Sequence, residues 1–140
     1  MYEYYWDGEN WLKVYKNDNK LRFYVNGKVH NKGKPYIHFF NNNKIIAEEY
    51  YLNGILHCND GPAVINYYFN DNVIKSVIYI QNSYFHRRYG PAEIWYNNNG
   101  TIDEEEYWFK GIIFNPEELP FELPIDSEEK EFMFHLKYGE

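Results

Sequence analysis

The strongest constraint on the fold is a block of residues that occurs twice in the middle of the chain. "HCNDGPAVINYY" begins at His57, and "HRRYGPAEIWYN" begins at His86. A degenerate copy, "HNKGKP", begins at His30, so the three histidines follow one another at intervals of 27 and 29 residues. A period of this length is typical of repeat proteins, in which each unit buries too little surface alone and stacks on its neighbours.

Two further phrases keep the same place in every unit. The first, as in "YYLNG" and "YWFKG", aligns Gly27, Gly54, Ser83 and Gly111. The second is an Asn-rich triplet, found at 17–19, 41–43, 70–72 and 97–99. Asn and Gly favour tight turns because both tolerate a positive φ. Each unit therefore contains two predicted reversals of the chain.

Between the turns, apolar and aromatic residues alternate with other residues. After Pro62, for example, Ala63, Ile65 and Tyr67 lie at every second position, which is the pattern of a β-strand. Proline fits at the first residue of a strand, where its missing N–H costs the ladder least. The sequence thus predicts a mainly β fold, in which tandem antiparallel β-hairpin repeats form a single-layer twisted meander of roughly eight strands.

The repeat also sets the expected domain boundaries. Residues 1–114 are predicted to form one repeat domain, with units at about 1–27, 28–54, 55–83 and 84–111. Residues 115–140 are predicted to hold an irregular segment followed by a short C-terminal helix.

The C-terminal helix is predicted from its capping residues and its apolar spacing. Asp126 or Ser127 can serve as the N-cap. Phe132, Met133 and Leu136 share one helical face and are the expected contact residues. The helix is expected to cap the last hairpin and so to hide an edge that would otherwise invite aggregation.

The repeated phrase "NG-x-x-H-x-x-x-GPA-x-I-x-Y" resembles the MORN-repeat variant family, in the form rich in "HR-x-DGPA" motifs. Such chains occur in bacteria, phages and giant DNA viruses. The resemblance covers about residues 17–114 and is clearest in the units that contain His57 and His86. It implies an elongated β-meander that acts in protein–protein contacts or assembly, with no family-wide catalytic residues. For a viral member, it implies the host cytoplasm or the virion as the location.

The net charge counts against nucleic-acid and membrane partners. The formal charge of −7 divides into +1 for residues 1–70, with 8 Lys/Arg and 7 Asp/Glu, and −8 for residues 71–140, with 6 and 14. An acidic half repels phosphate backbones and anionic lipid headgroups. No run of 18 apolar residues occurs, although a membrane-spanning helix needs about that many. The first residues, "MYEYYWDGEN", lack the pattern of a secretory signal, so the expected location is cytoplasmic.

Two ladders of side chains are predicted on the strands that precede the Gly turns. The more uniform ladder, predicted as core, contains Phe23, Tyr50, Tyr79 and Tyr107. The other ladder, which also includes Ile80, mixes aromatic with charged residues, as contact surfaces do. With Trp95 of a neighbouring strand, it gives the predicted binding residues Tyr24, Tyr51, Trp95, Trp108, Arg22, Glu49 and Glu106. The alternative is that these rings only cover the second side of a thin sheet.

The repeated histidines and their Gly-Pro turns are predicted to be structural. Equivalent positions in successive hairpins lie about 9.5 Å apart, whereas two imidazoles on one zinc ion bring their nitrogens within roughly 3.3 Å of each other. Each histidine is therefore expected to hydrogen-bond within its own turn. The predicted structural turn residues are His30, His57, His86, Gly61, Pro62, Gly90 and Pro91. Neither a metal nor another cofactor is expected, and the single cysteine, Cys58, excludes an intramolecular disulfide.

Two charged stretches offer weaker site hypotheses. Arg87 and Arg88 could bind a phosphate or a carboxylate, but as variable turn positions they are predicted to be solvated surface. The acidic stretch at 103–106 could bind a cation. Because side chains alternate along a strand, however, these carboxylates are expected to divide between two faces.

These observations favour a non-enzymatic protein that binds another protein, as a scaffold, an assembly component or an inhibitor of a host factor. The acidic residues at 103–106 and 117–118 favour a basic partner, and exposed sheet edges allow a homo-oligomer. One alternative is a nucleic-acid or nucleotide binder that stacks bases on the aromatic sheet face. A second alternative is a small hydrolytic enzyme that uses a turn histidine and a carboxylate.

Overall fold

The fold is mainly β and antiparallel, with a short C-terminal helix, and this confirms the predicted fold class. The computed structural model describes residues 1–6, 8–25, 28–29, 37–41, 44–69 and 73–139. The strands are β1 (Tyr2–Trp6), β2 (Trp11–Lys16), β3 (Lys20–Val25), β4 (Lys28–Val29), β5 (Ile37–Asn41), β6 (Lys44–Glu49), β7 (Tyr51–Leu52), β8 (Ile55–Leu56), β9 (Val64–Tyr67), β10 (Ile74–Ile78), β11 (Ile80–Gln81), β12 (Tyr84–Phe85), β13 (Glu93–Tyr96), β14 (Ile102–Phe109) and β15 (Ile112–Phe114). A 3₁₀ turn at Pro116–Glu118 and helix α1 (Glu128–Tyr138) follow.

Among the described residues, eleven strands form one main sheet in the order β1-β2-β3-β5-β6-β9-β10-β13-β14-β15, with β4 paired to β3. Two small hairpins, β7–β8 and β11–β12, lie outside it. The number of strands exceeds the predicted eight for two reasons. The strands leading into two Gly turns are interrupted, which makes β7 and β11 separate, and the strands β1, β4, β8, β12 and β15 were not predicted. At Tyr50, for example, the N–H donates to the Ala63 carbonyl (2.8 Å) while the carbonyl accepts from the His57 N–H (3.1 Å). The chain there leaves the main ladder and starts a separate hairpin.

The Gly turns have the backbone conformation that the sequence predicts. Gly54 has φ of 83°, Ser83 of 67° and Gly111 of 81°, while Gly27 lies outside the described residues. The residue before each is also left-handed, with φ of 51° at Asn53. Two successive positive φ values define the type I′ turn, whose twist matches that of a hairpin.

Successive Gly hairpins are hydrogen-bonded to one another, and the same bonds recur one unit later. The Ser83 N–H donates to the Leu56 carbonyl (3.0 Å), and its counterpart Gly111 donates to Phe85 (2.9 Å). In the reverse direction, the Cys58 N–H donates to the Ile80 carbonyl (3.2 Å). The hairpins therefore form a second ladder beside the main sheet.

The two Gly-Pro turns occupy equivalent places in the main sheet. Pro62 and Pro91 each lie two residues before the first residue of a strand, whereas the prediction placed each at that first residue. The alanine that follows each proline, Ala63 or Ala92, is fully buried. Both alanine N–H groups donate across the sheet over 2.8 Å. Gly90 also leaves room for Arg87, because a Cβ there would lie 3.3 Å from the Arg87 Nη1.

One side of the main sheet carries most of its buried aliphatic residues. Residues directly opposite on neighbouring strands share a face, and the register aligns Ile65 with Val77 and Val77 with Ile94. Followed the other way, the register reaches Lys16 on β2, and the buried Leu12 and Val14 share its side because side chains alternate along a strand. We call this side the aliphatic face, defined by Leu12, Val14, Ile65, Val77 and Ile94. The predicted core ladder is half-buried and comprises Phe23, Tyr50, Tyr79 and Tyr107.

Helix α1 completes a small core over the last hairpin. Its N-cap is Ser127, whose hydroxyl accepts a hydrogen bond from the Lys130 N–H (3.2 Å). Phe134 is fully buried, and its ring centroid lies 5.0 Å from that of Phe109 and 5.1 Å from that of Phe114. Ile125 is buried in the same cluster. The predicted capping role of this helix over the last hairpin matches this packing.

The face of α1 that contacts the sheet differs from the predicted one. Phe132 and Leu136 are 64% and 71% exposed. Burial of the Phe134 ring favours the observed rotation of the helix. Glu131 and Tyr138 share that face, because residues at i, i+3 and i+7 lie on one side of a helix, and the Glu131 carboxylate lies 2.8 Å from the Lys110 Nζ.

Phe134→Ala should destabilise the protein by about 3–5 kcal/mol, because it removes a buried ring from the helix–sheet core. Phe132→Ala, in the same helix but exposed, should change the free energy of unfolding by less than about 0.5 kcal/mol. Urea unfolding of the two variants measures the difference. Equal losses would show that α1 does not dock through Phe134.

Candidate interaction face

Six of the seven predicted binding residues lie on the side of the main sheet opposite the aliphatic face, and Tyr51 lies next to that side in the β7–β8 hairpin. A continuous cross-strand row comprises Tyr2, Tyr15, Arg22, Ile37, Glu49, Val64, Ile78, Glu93 and Glu106. It contains three of the predicted residues. Tyr24, Trp95 and Trp108 each follow a row residue by two positions on one continuous strand, which keeps them on the same side. Tyr51 follows the interruption at Tyr50, but its hydroxyl donates to Glu49 over 3.1 Å and so lies next to this side. We call this side, together with Tyr51, the acidic–aromatic face, defined by Arg22, Tyr24, Glu49, Tyr51, Glu93, Trp95, Glu106 and Trp108.

Two tryptophans on this face are tied to the glutamates two residues before them. The Trp95 Nε1 donates to Glu93 Oε1 over 2.7 Å, and the Trp108 Nε1 donates to Glu106 Oε2 over 3.1 Å. Each bond satisfies the indole N–H and limits the rotation of the ring. Trp95 is 37% exposed, so an immobilised ring is presented at the surface.

Two tyrosines are likewise hydrogen-bonded to the charged residue two positions before them. The Tyr51 hydroxyl donates to Glu49 (3.1 Å), and the Arg22 guanidinium donates to the Tyr24 hydroxyl (3.1 Å). Burial, then the negative charge of Glu49, raises the pKa of Tyr51 to about 12. The Tyr51 hydroxyl therefore keeps its proton at neutral pH and remains a donor.

Glu93 and Glu106 lie directly opposite each other on β13 and β14. Both are half-buried, and within the described ranges neither takes part in an ion pair. Like charges in this position destabilise a sheet. The Trp hydrogen bonds offset part of that cost, and a cation placed between the carboxylates would offset more.

A groove of about 450 Å³ lies beside Trp95 on the same face. Its floor includes Ser76, which is 1% exposed and accepts a hydrogen bond from the Asn66 amide over 3.0 Å. Phe69 and Lys75 also line it. The groove thus combines four aromatic residues, a polar floor and one cation, a combination suited to a side chain with both apolar and polar parts.

Sequence reasoning missed several residues of this face. Glu93 was detectable, because it precedes Trp95 by two positions just as Glu106 precedes Trp108. Ser76 and Phe69 carried no such signal, since the groove depends on a bulge between Ile74 and Ser76 that shifts the register.

Ile80, predicted on the exposed ladder, is instead 4% exposed. The prediction was wrong because the strand is interrupted at Tyr79, so Ile80 belongs to the β11–β12 hairpin. In that hairpin the Ile80 carbonyl accepts a hydrogen bond from the Cys58 N–H of the preceding unit.

The turn histidines join one hairpin to the next. The Nδ1 of His57 accepts from the Asn82 N–H (3.0 Å), and the Nδ1 of His86 accepts from the Lys110 N–H (2.9 Å). Both donors are the left-handed residues that open the following Gly turn. The prediction that each histidine bonds within its own turn is thus incomplete: His57 does contact Asn59 (2.8 Å), but the recurring bond crosses between units. His30 lies outside the described residues.

Arg87 and Arg88 are structural rather than solvated, contrary to the prediction. The Arg87 guanidinium lies 3.9 Å from the Tyr79 ring centroid and donates to the Pro91 carbonyl (3.0 Å). Arg88 donates to the Ile125 carbonyl (2.6 Å) and lies 3.6 Å from the Glu131 carboxylate. The carboxylate that this turn binds therefore belongs to α1.

Three findings bear on other classes of function. Within the part of the chain that the structure describes, no three His, Cys, Asp or Glu side chains cluster as a metal site requires. Across the described ranges, no helix has the length and apolar character needed to cross a membrane. Comparisons with protein-family models, curated proteins and solved structures give no match. The resemblance to MORN-repeat variants therefore stays a prediction.

Low pH should destabilise the folded protein through protonation of His86. This side chain is 6% exposed, and burial, with help from the cations Arg88 and Lys110, lowers its pKa from 6.5 to about 4. Between these pH values the unfolded chain binds more protons, so stability should fall as the pH falls from 6.5 towards 4.

The contribution of His86 can be isolated by substitution. Between neutral pH and pH 4, the free energy of unfolding of His86→Gln should fall by on the order of 2 kcal/mol less than that of the wild type. Urea unfolding at both pH values measures this difference. His57→Gln, at the equivalent position away from Arg88 and Lys110, is the matched control and should follow the wild-type curve. A His86→Gln curve parallel to the wild type would contradict the assignment.

Proposed function

We propose that the protein is a non-enzymatic binding protein whose acidic–aromatic face takes up a basic segment of another protein. The observation that carries the proposal is the pair of facing carboxylates, Glu93 and Glu106, flanked by the two tethered rings, Trp95 and Trp108. A Lys or Arg side chain placed between the carboxylates would neutralise their repulsion. Its alkyl stem and cationic head would lie along the indoles, where cation–π attraction adds to the ion pair.

The geometry also supports a defined binding register. The groove beside Trp95 lies next to the carboxylate pair, so a partner residue adjacent to the cation could enter it. Tryptophan is among the residues that contribute most to protein interfaces. Because the indole N–H bonds already restrain the rings, binding would cost little side-chain entropy.

The biological role proposed for this face is that of an assembly component, a scaffold or a host-factor inhibitor. Support comes from the resemblance of residues 17–114 to MORN-type repeats, which act in protein contacts. The proposed location is the cytoplasm, or the virion if the protein is viral. Each of these roles needs only a stable face and a basic partner.

Selection from a displayed library of short random peptides tests the proposal. The wild-type protein should enrich peptides with Lys or Arg next to an apolar or aromatic residue. Trp95→Ala combined with Trp108→Ala should weaken their binding at least ~10-fold, as expected when two interface anchors are truncated. Glu93→Gln with Glu106→Gln should act similarly and should also reduce the dependence of binding on salt.

Tyr89→Ala is the matched control, because Tyr89 is a well-exposed ring outside the acidic–aromatic face. It should retain the selected peptides with unchanged affinity. Enrichment of acidic peptides, or equal binding by the wild type and the double Trp variant, would refute the proposed face. Binding of single-stranded oligonucleotides instead of peptides would favour the nucleic-acid alternative.

A further inference from the structure

Strand β1 leaves one end of the main sheet with an unpaired edge. It pairs with β2 on one side, and among the described residues no strand pairs with its other side. All five of its residues are exposed, including Tyr4 at 64% and Trp6 at 56%. An exposed, apolar edge strand of this length is a template for another strand.

The hydrogen bonds to β2 show which main-chain groups of β1 are free. Met1 and Lys16 exchange two backbone bonds, of 2.9 Å and 3.3 Å. Bonded pairs alternate along an antiparallel ladder, so Glu3 and Tyr5 direct their N–H and C=O groups towards β2. The N–H and C=O groups of Tyr2, Tyr4 and Trp6 therefore point away from the sheet.

We infer that two copies of this chain pair through β1, antiparallel and around a two-fold axis at Tyr4. In that register Tyr4 lies opposite Tyr4 of the second copy, and Tyr2 lies opposite Trp6. The free groups then form about six main-chain hydrogen bonds, and no outward N–H or C=O of the strand is left over. The inference does not depend on the function proposed for the acidic–aromatic face.

The side chains of β1 are complementary to themselves in the same register. Two of the three β1 rings on the acidic–aromatic side already pack on β2, with Tyr2 5.2 Å from Tyr15 and Trp6 5.6 Å from Trp11 between ring centroids. Pairing of Tyr2 with Trp6 of the second copy joins these stacks into one row. Aromatic cross-strand pairs are among those that stabilise antiparallel sheets.

Charge also favours a second copy as the occupant. Glu3 is the only charged residue of β1, and the register places it opposite Tyr5 rather than opposite its own counterpart. The Tyr5 hydroxyl already donates to Glu3 within the strand, so a Tyr5 hydroxyl from the other copy offers the same chemistry. Residues 1–70 have a net charge of only +1, with 8 Lys/Arg and 7 Asp/Glu, so these halves can meet without strong repulsion.

Sedimentation of the full chain over a range of concentrations tests for the dimer. The wild type should form a dimer of its 17.1 kDa chain. Tyr4→Pro removes an N–H that points away from β2, so it should leave the β1–β2 hairpin paired and weaken dimerisation by at least ~100-fold. Phe132→Lys, which changes an exposed residue of α1, is the matched control and should dimerise like the wild type.

Cross-linking tests the register without relying on the proline variant. In a Cys58→Ser background, Tyr4→Cys should form a disulfide between two chains on mild oxidation, because bonded antiparallel partners have Cα atoms about 5.5 Å apart. Tyr2→Cys should not, since the two Tyr2 positions would lie about 13 Å apart along the strands. A monomer at every concentration, a dimer that survives Tyr4→Pro, growth beyond the dimer, or cross-linking at Tyr2 but not Tyr4 would overturn the inference.

Discussion

Antiparallel pairing between one unit and the next determines nearly everything else in this molecule. Strand β6 pairs with β9, and β10 pairs with β13, so each unit supplies the partner that the preceding unit lacks. Because side chains alternate with a period of two, a slip of one residue would move Glu49 and Glu106 to the aliphatic face. The second ladder, between successive Gly hairpins, opposes such a slip. The histidine Nδ1 bonds that cross between units add a side-chain contact to the same register.

The two ends of the described main sheet differ in what covers them. At the C-terminal end, α1 covers the last hairpin, and the Arg88–Glu131–Lys110 ion pairs hold it in place. Those cations belong to the His86 turn and to the following Gly turn, so the repeat itself supplies the docking site for the helix. At the other end β1 carries exposed rings. Among the described residues, no strand pairs with the outer edge of β1, whereas α1 covers the hairpin at the opposite end of the sheet.

The sequence was sufficient to predict the antiparallel hairpins, and it placed six of the seven predicted binding residues on one side of the main sheet. These features depend on local rules: alternation along a strand, and positive φ at Gly54, Ser83 and Gly111. Features that depend on tertiary contacts were not predictable in this way. The rotation of α1 depends on the packing of Phe134 against Phe109 and Phe114, which are 25 and 20 positions away in the sequence. The burial of Ile80 follows from the interruption at Tyr79, where the backbone changes partners.

Glutamates on the two sides of the main sheet have different neighbours. On the aliphatic side, Glu48 accepts a hydrogen bond from the Tyr67 hydroxyl, and burial raises the pKa of that tyrosine. This carboxylate sits beside a neutral donor and faces Ile65 across the strands. On the acidic–aromatic side, Glu93 faces a second carboxylate. A fold selected for stability alone would gain from replacing one member of that pair, because facing like charges cost the sheet energy. The proposed function would account for the pair, because a cation from a basic partner would reduce the repulsion between Glu93 and Glu106.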